Sequence, residues 1–223
     1  MKTSSKLGFV FAGAFGVAAA LAGCPGTSPT TTPTPSPTTG PTATPAPARV
    51  VMTEVMFYTQ GASAGQHQLY LKNIGGMPAN LTTYMLAFAP TYPGGQEATA
   101  SIIDTSTNAA YGSLPAGSTL QIALSGPGVT GAASSSFASG TVQFNNGGGL
   151  ALFTSPSTTS ASMADFVQWG QTGTAFEPVA DAAGIWTTDT TIATPSAIPT
   201  SGWNLKATTP GATGSANWTF SQF

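Results

Sequence analysis

Acid–base catalysis and nucleophilic catalysis would both depend on the one histidine of the chain, His67. A Ser-His-Asp or Cys-His arrangement needs such a base within hydrogen-bonding reach of the nucleophile. His67 stands at the start of a segment that alternates polar and apolar residues, and this pattern predicts an exposed position on a strand. The sequence therefore favours a protein without enzymatic activity and leaves His67 as a general base only as an alternative.

The acidic residues are scattered along the chain, without a diagnostic pair of carboxylates for glycoside cleavage. Asp181 or Asp189 with loop carbonyls leaves calcium binding open, although the chain has no Asp-x-Asp-x-Asp-Gly loop. A zinc site needs several His and Cys side chains, and the chain has one of each. We therefore expect no metal centre and no cofactor. The seven acids are Glu54, Glu97, Asp104, Asp165, Glu177, Asp181 and Asp189.

Glu54 differs from the other acids because it lies inside the first apolar segment. An inward-facing carboxylate needs a partner, since an unpaired buried charge is costly. The candidate partners are Arg49, Lys72, Lys206 and backbone amides. We expect a structural role for Glu54 rather than a ligand-binding one.

The aromatic residues permit a different class of function, the binding of carbohydrate. An exposed indole face can stack on a sugar ring, and Trp186 and Trp203 are the candidates for such stacking. Core packing is the alternative, because large aromatic side chains bury much apolar area in most domains. The chain has four tryptophans, which are Trp169, Trp186, Trp203 and Trp218.

The only cysteine, Cys24, follows a segment that is typical of a secretion signal. Lys2 and Lys6 precede an apolar stretch over residues 7–21, which is too short to span a membrane. Residues 21–24 (LAGC) resemble a bacterial lipobox. The resemblance implies cleavage between Gly23 and Cys24 and lipid attachment to Cys24. Because residue 25 is proline rather than aspartate, lipoprotein sorting rules imply the outer membrane in a bacterium that has one.

Residues 24–48 form a linker after the signal segment of residues 1–23. Residues 25–48 contain 8 Pro and 9 Thr, with no charged and no large apolar side chain. Such a composition cannot form a core and favours an extended polyproline II conformation. We interpret it as a disordered tether between a membrane anchor and a folded domain.

Charge and composition restrict what the remaining residues 49–223 can do. Only 5% of the chain is charged, against about 25% in a typical soluble domain. Beyond residue 24, three basic residues face seven acidic ones, so no basic patch for nucleic acid is expected. The 27 Gly and 18 Pro disfavour long helices. These features predict one β-rich domain.

Several short segments have the pattern of half-buried strands. Residues 66–73 alternate with Leu69 and Leu71 facing inward, and residues 118–124 alternate in the same way. A glycine-rich turn at residues 145–149 leads into Leu150. We predict an antiparallel β-sandwich with a core formed by Val55, Leu69, Leu71, Leu81, Leu86, Leu120, Ile122, Leu124, Leu150, Leu152 and Val167.

Five short segments of the chain follow one another in the same order as the motifs of a known family. They are residues 51–55 (VMTEV), 69–73 (LYLKN), 78–81 (PANL), 114–117 (LPAG) and 165–170 (DFVQWG). This order resembles that of lamin tail domains over residues 50–170. The positions that match the family's motifs are Glu54, Leu71, Asn73, Leu81, Asp165 and Gly170.

The resemblance implies an immunoglobulin-like β-sandwich in which those six residues are structural. It also implies a module for protein interaction or surface structure, with an envelope protein or a glycan as the unidentified partner. Residues 171–223 extend beyond the match, and we assign them to the same domain, packed by Trp186, Trp203 and Trp218. Tyr70 departs from the family, which usually has Glu at that position.

Overall fold

A computed structural model describes residues 43–58, 67–90, 97–101, 111–124, 133–134, 147–194 and 202–223. The predicted signal segment, Gly23, Cys24 and most of the linker lie outside the described residues. In chain order the strands are β1 Val50–Tyr58, β2 Gln68–Asn73, β3 Ala79–Asn80, β4 Met85–Pro90, β5 Ala98–Ser101, β6 Ser113–Leu114, β7 Thr119–Ala123, β8 Ala133–Ser134, β9 Gly148–Phe153, β10 Met163–Trp169, β11 Gly202–Ala207 and β12 Trp218–Gln222. One short helix, α1 (Glu177–Ala182), lies between β10 and β11.

The strands form two main sheets, which confirms the all-β prediction. One sheet has the order β12-β11-β1-β2-β7-β8 and the other has the order β10-β9-β4-β5, while β3 and β6 form a small separate pair. Neighbouring strands are antiparallel, except that β7 and β8 run parallel. Aromatic side chains of the two main sheets pack against each other between the sheets. For example, the ring centroids of Phe57 in β1 and Trp169 in β10 are 5.1 Å apart. The arrangement is sandwich-like.

The predicted alternation holds in β2 and β7. Leu69 and Leu71 of β2 are fully buried, while their neighbours along the strand are partly exposed. The rest of the predicted core is buried in the same way, apart from Leu120 of β7, which is partly buried and packs against the core. Burial by alternate residues follows from the pleat of a strand that has one face on the core.

Strands β9 and β10 do not alternate, because both faces of their sheet are covered. All residues of β9 are buried, and all but one residue of β10. The segment after β10 supplies the cover: Phe176 lies 5.8 Å from Phe153, and Trp186 lies 5.3 Å from Phe166 between ring centroids. Residues 171–194, with α1, therefore act as a second layer on the outer face of this sheet.

The compact unit begins at Ala43, before the predicted domain start at residue 49. Gly76 N–H donates to the carbonyl of Ala46 at 3.0 Å, which fixes the last part of the linker on the turn after β2. A Cβ at Gly75 would lie 2.1 Å from the carbonyl oxygen of Pro47. Glycine is needed there because the two backbones are in contact.

Candidate functional site

Asp165 is a buried carboxyl group that joins the two main sheets. Its Oδ2 accepts a hydrogen bond from Met52 N–H of β1 at 2.7 Å, and its Oδ1 accepts one from Phe166 N–H at 2.9 Å. The strand register shifts at both places, between Met52 and Glu54 in β1 and between Met163 and Asp165 in β10. Such irregularities re-aim backbone groups and side chains. Here they bring a carboxyl group of one sheet onto the backbone of the other.

The environment of Asp165 changes its acidity. Burial raises the pKa of this carboxyl to about 7, and the two backbone hydrogen bonds and the charge of Arg49 oppose the rise. A carboxyl with such a pKa can exchange a proton near neutral pH. Its two oxygens are nevertheless held by the chain's own amides, which makes Asp165 a structural link between strands.

Asn73, at the end of β2, uses its whole side-chain amide to hold three segments together. Its Oδ1 accepts hydrogen bonds from the backbone N–H of Arg49 at 3.2 Å and of Gly75 at 3.0 Å. Its Nδ2 donates to the carbonyls of Met77 at 2.8 Å and Leu114 at 3.0 Å. The amide is fully buried and its hydrogen-bonding capacity is met by backbone groups.

A second buried polar cluster holds the segment after β10 in place. Gln168 Oε1 accepts hydrogen bonds from the N–H and the hydroxyl of Thr174, at 3.2 and 2.5 Å, and Gln168 Nε2 donates to the carbonyl of Thr190 at 3.0 Å. Trp186 Nε1 donates to the same carbonyl at 2.9 Å. The sequence analysis missed this role of Gln168. The one available signal was the position of this amide in the sequence, directly between the apolar Val167 and the aromatic Trp169.

Glu177 is also buried, at the first position of α1. Its Oε2 accepts a hydrogen bond from Gly173 N–H at 2.6 Å, whereas Oε1 has no hydrogen-bond partner within the described part of the chain. Asn217 plays a comparable structural role before β12, where its side chain bonds to Thr208, Thr209 and Ala212. Neither residue was singled out from the sequence, because polar side chains in loops are common and their burial depends on distant segments.

Glu54 is partly buried, and its partner was not among the expected ones. Asn204 Nδ2 of β11 donates to Glu54 Oε1 at 2.5 Å. Lys206, one of the expected partners, is the residue opposite Glu54 in the β1–β11 register. The neutral amide of Asn204 supplies the hydrogen bond because it lies diagonally across the strand pair, within reach of the carboxylate.

The other residues that match the family's motifs have packing roles. Leu71 and Leu81 are fully buried in the core. Gly170 has a φ of +80°, and a Cβ there would lie 2.9 Å from the Cα of Gly147. Leu71 and Leu81 therefore belong to the core, and Gly170 permits a close backbone contact at the end of β10.

His67 is not exposed, and the prediction for it was wrong. Only 7% of its surface is accessible, and its ring centroid lies 5.7 Å from that of Phe57. Burial lowers the pKa of this imidazole to about 4. The alternation of β2 in fact extends back to His67, which has the same parity as the buried Leu69 and Leu71, so assigning it to the polar face of the strand was the error.

The tryptophans proposed for sugar stacking are in the core. Trp186 and Trp203 are 4% and 2% exposed, and Trp169 and Trp218 are buried as well. Trp203 stacks on Phe57 with ring centroids 3.8 Å apart. Stacking on a sugar needs an accessible ring face, so the roles suggested for Trp186 and Trp203 are corrected to core packing.

Asp181 and Asp189, which left calcium binding open, are exposed. Across the described residues, no group of three or more His, Cys, Asp or Glu side chains is arranged to hold a metal ion. Among the same residues, no helix is long and apolar enough to cross a membrane.

Comparisons of the chain with protein-family models, with curated proteins and with solved structures find no match.

Proposed function

We propose that this chain is a lipid-anchored module of the bacterial cell envelope, which acts through protein contact or as surface structure and not through catalysis. The observation that carries the proposal is the order of three features: an apolar secretion segment, the LAGC motif ending at Cys24, and a Pro/Thr-rich tether before a folded domain. Acyl chains on Cys24 would hold the domain at the membrane, since each buried CH₂ contributes about 0.8 kcal/mol.

The way in which the folded domain uses its polar residues supports a structural role. Asp165, Asn73 and Gln168 are among the buried polar residues of the described domain, and each bonds to backbone groups of other strands or loops. Side chains used in this way fix strand positions, as expected of a scaffold. We propose further that the sandwich is immunoglobulin-like and related to lamin tail domains, with Glu54, Leu71, Asn73, Leu81, Asp165 and Gly170 as its shared framework.

Cell fractionation tests the anchor. The full chain should sediment with membranes, in the outer membrane of a bacterium that has one, and a Cys24→Ala variant should lose this association. Ser28→Ala, four residues further along the tether, is the matched control and should behave as the unaltered protein. A Cys24→Ala variant that still fractionates with membranes would contradict the proposal.

A hydrolase screen tests the absence of catalysis. We expect no turnover by the purified protein on ester, glycoside, peptide or phosphoester substrates. The proposal fails if an activity is found that Asp165→Asn or His67→Gln abolishes while the circular dichroism spectrum is unchanged. Those two variants are chosen because their side chains have the shifted pKa values that catalytic groups often show.

A further inference from the structure

Strand β12 forms one edge of the six-stranded sheet as the structure describes it. Two backbone hydrogen bonds show which of its residues face the neighbouring strand β11: Thr208 N–H donates to Asn217 O at 2.7 Å, and Phe223 N–H donates to Gly202 O at 3.3 Å. Backbone groups along a strand point alternately to its two sides. The residues that face outward are therefore Trp218, Phe220 and Gln222.

The outward backbone groups of β12 have a distinctive pattern. Trp218 N–H is already bonded to the carbonyl of Ser215, so this residue offers only its carbonyl at the edge. Phe220 and Gln222 each present both N–H and C=O. Along the edge, the carbonyl of Trp218 is therefore an acceptor on one side of Phe220, and the N–H of Gln222 is a donor on the other side.

Nothing in the composition of β12 protects this edge. Its sequence, WTFSQ, has no charged residue and no proline, and its register with β11 is continuous, without a bulge. Proteins usually protect an exposed edge with one of these three features. In the other main sheet, part of the edge formed by β10 is covered by another segment of the chain. There the carbonyl of Gln168 accepts a hydrogen bond from Ile192 N–H, and Gly170 N–H donates to the carbonyl of Ile192.

We propose that β12 pairs with β12 of a second copy of this chain, antiparallel, about a twofold axis at Phe220. The pairing is self-complementary: Phe220 exchanges both backbone hydrogen bonds with its counterpart, and Gln222 N–H donates to the Trp218 carbonyl in each direction. The Trp218 N–H needs no partner because Ser215 already binds it. The six-stranded sheets of the two copies then become continuous.

The side chains fit the same arrangement. Phe220 is partly buried, and its ring centroid lies 5.4 Å from that of Trp203 at the margin of the core. Across the twofold axis it meets Phe220 of the other copy, an aromatic cross-strand pair that stabilises sheets. On the opposite face, exposed Thr219 lies across from Ser221, so the contact brings no like charges together.

This pairing rests on the proposed role in protein contact, for which it identifies a second copy of the chain as the partner. It does not depend on the lipid anchor.

The test of the pairing is disulfide cross-linking of the full chain in the producing cells, with an added oxidant. In the paired strands, Thr219 and Ser221 of different copies form a non-hydrogen-bonded pair with Cα atoms about 4.5 Å apart, within the range that a disulfide bridges. Two Thr219 residues lie about 8 Å apart, which is too far.

We expect a disulfide-linked dimer when Thr219→Cys and Ser221→Cys chains are produced together, and none when either is produced alone. Adding Gln222→Pro to both chains should lower the dimer yield about tenfold or more, because it removes the outward N–H on both sides. Gln222→Ala keeps that N–H and is the matched control. Equal cross-linking by the single variants, no dimer in the mixture, or a yield unaffected by Gln222→Pro would overturn the proposal.

The unaltered chain separates this proposal from that of the anchor. Its only thiol is Cys24, which a lipid would block. If the unaltered chain itself cross-links, the anchor proposal is wrong, and the same variants in a Cys24→Ser background then decide the strand pairing.

Discussion

Asp165 contributes a stability that depends on pH, because its carboxyl titrates differently in the folded and unfolded chain. Burial raises its pKa from 3.8 to about 7. Between these values the folded protein retains a proton that the unfolded chain has lost. The contribution is therefore fully present below the unfolded pKa and is lost as the pH rises through the folded one. The slope is about −1.4 kcal/mol per pH unit, and the whole shift corresponds to about 4 kcal/mol.

His67 has the opposite effect over nearly the same range. Burial lowers its pKa from 6.5 to about 4, so between these values the unfolded chain binds a proton that the folded protein does not. The stability from this group is fully present above the unfolded pKa and is lost as the pH falls through the folded one, with a slope of about +1.4 kcal/mol per pH unit. In the shared window, from about pH 4 to 6.5, the two contributions cancel.

The cancellation is tested with Asp165→Asn, His67→Gln and the double variant. Relative to the unaltered protein, the free energy of unfolding of Asp165→Asn should rise by about 3 kcal/mol from pH 4 to 6.5, and that of His67→Gln should fall by about the same amount. The double variant should regain the profile of the unaltered protein. Urea unfolding followed by the fluorescence of the buried tryptophans gives these values. Profiles of the single variants that run parallel to the unaltered one would refute the reasoning.

Three further substitutions test the structural roles of single residues by the same unfolding assay. Asn73→Ala should cost about 3 kcal/mol or more, because buried backbone groups lose their partners; a loss below about 1 kcal/mol would contradict this role. Gly170→Ala should destabilise more than Gly173→Ala, since both have positive φ but only Gly170 is in close contact with Gly147; equal losses would argue against that contact. Leu69→Asp should cost several kcal/mol, about 3 or more, and Gln68→Asp much less, because only Leu69 is fully buried; similar losses would contradict the predicted strand face.

The sequence was sufficient for strands that have one face on the core. In β2 and β7 the alternation of apolar and polar residues predicted burial, because the pleat of a strand determines which side chains face inward. It was insufficient for β9 and β10, whose second face is covered by residues 171–194, a segment without strand periodicity that follows β10. The burial of Gln168 and Trp186 depends on that cover, and no local pattern indicates it.

The residues of the candidate site also divide into those whose role the sequence indicated and those whose partner or burial it did not. Asp165 and Asn73 were predicted as structural positions through the order of short motifs, and the structure gives both of them buried hydrogen bonds to the backbone. The hydrogen bond of Glu54 to Asn204 joins residues 150 positions apart, so the partner could not be inferred from spacing. His67 was misjudged because it was assigned to the polar face of the strand, although the alternation places it on the same face as the buried Leu69 and Leu71; its ring packs there near that of Phe57.

Mass spectrometry of the mature N-terminal peptide tests the central claim, that the chain is anchored through Cys24, most directly. The account predicts that the mature protein begins at Cys24, with diacylglycerol on its thiol and an acyl chain on its amino group. A mature protein that begins elsewhere, or an unmodified Cys24, would contradict it.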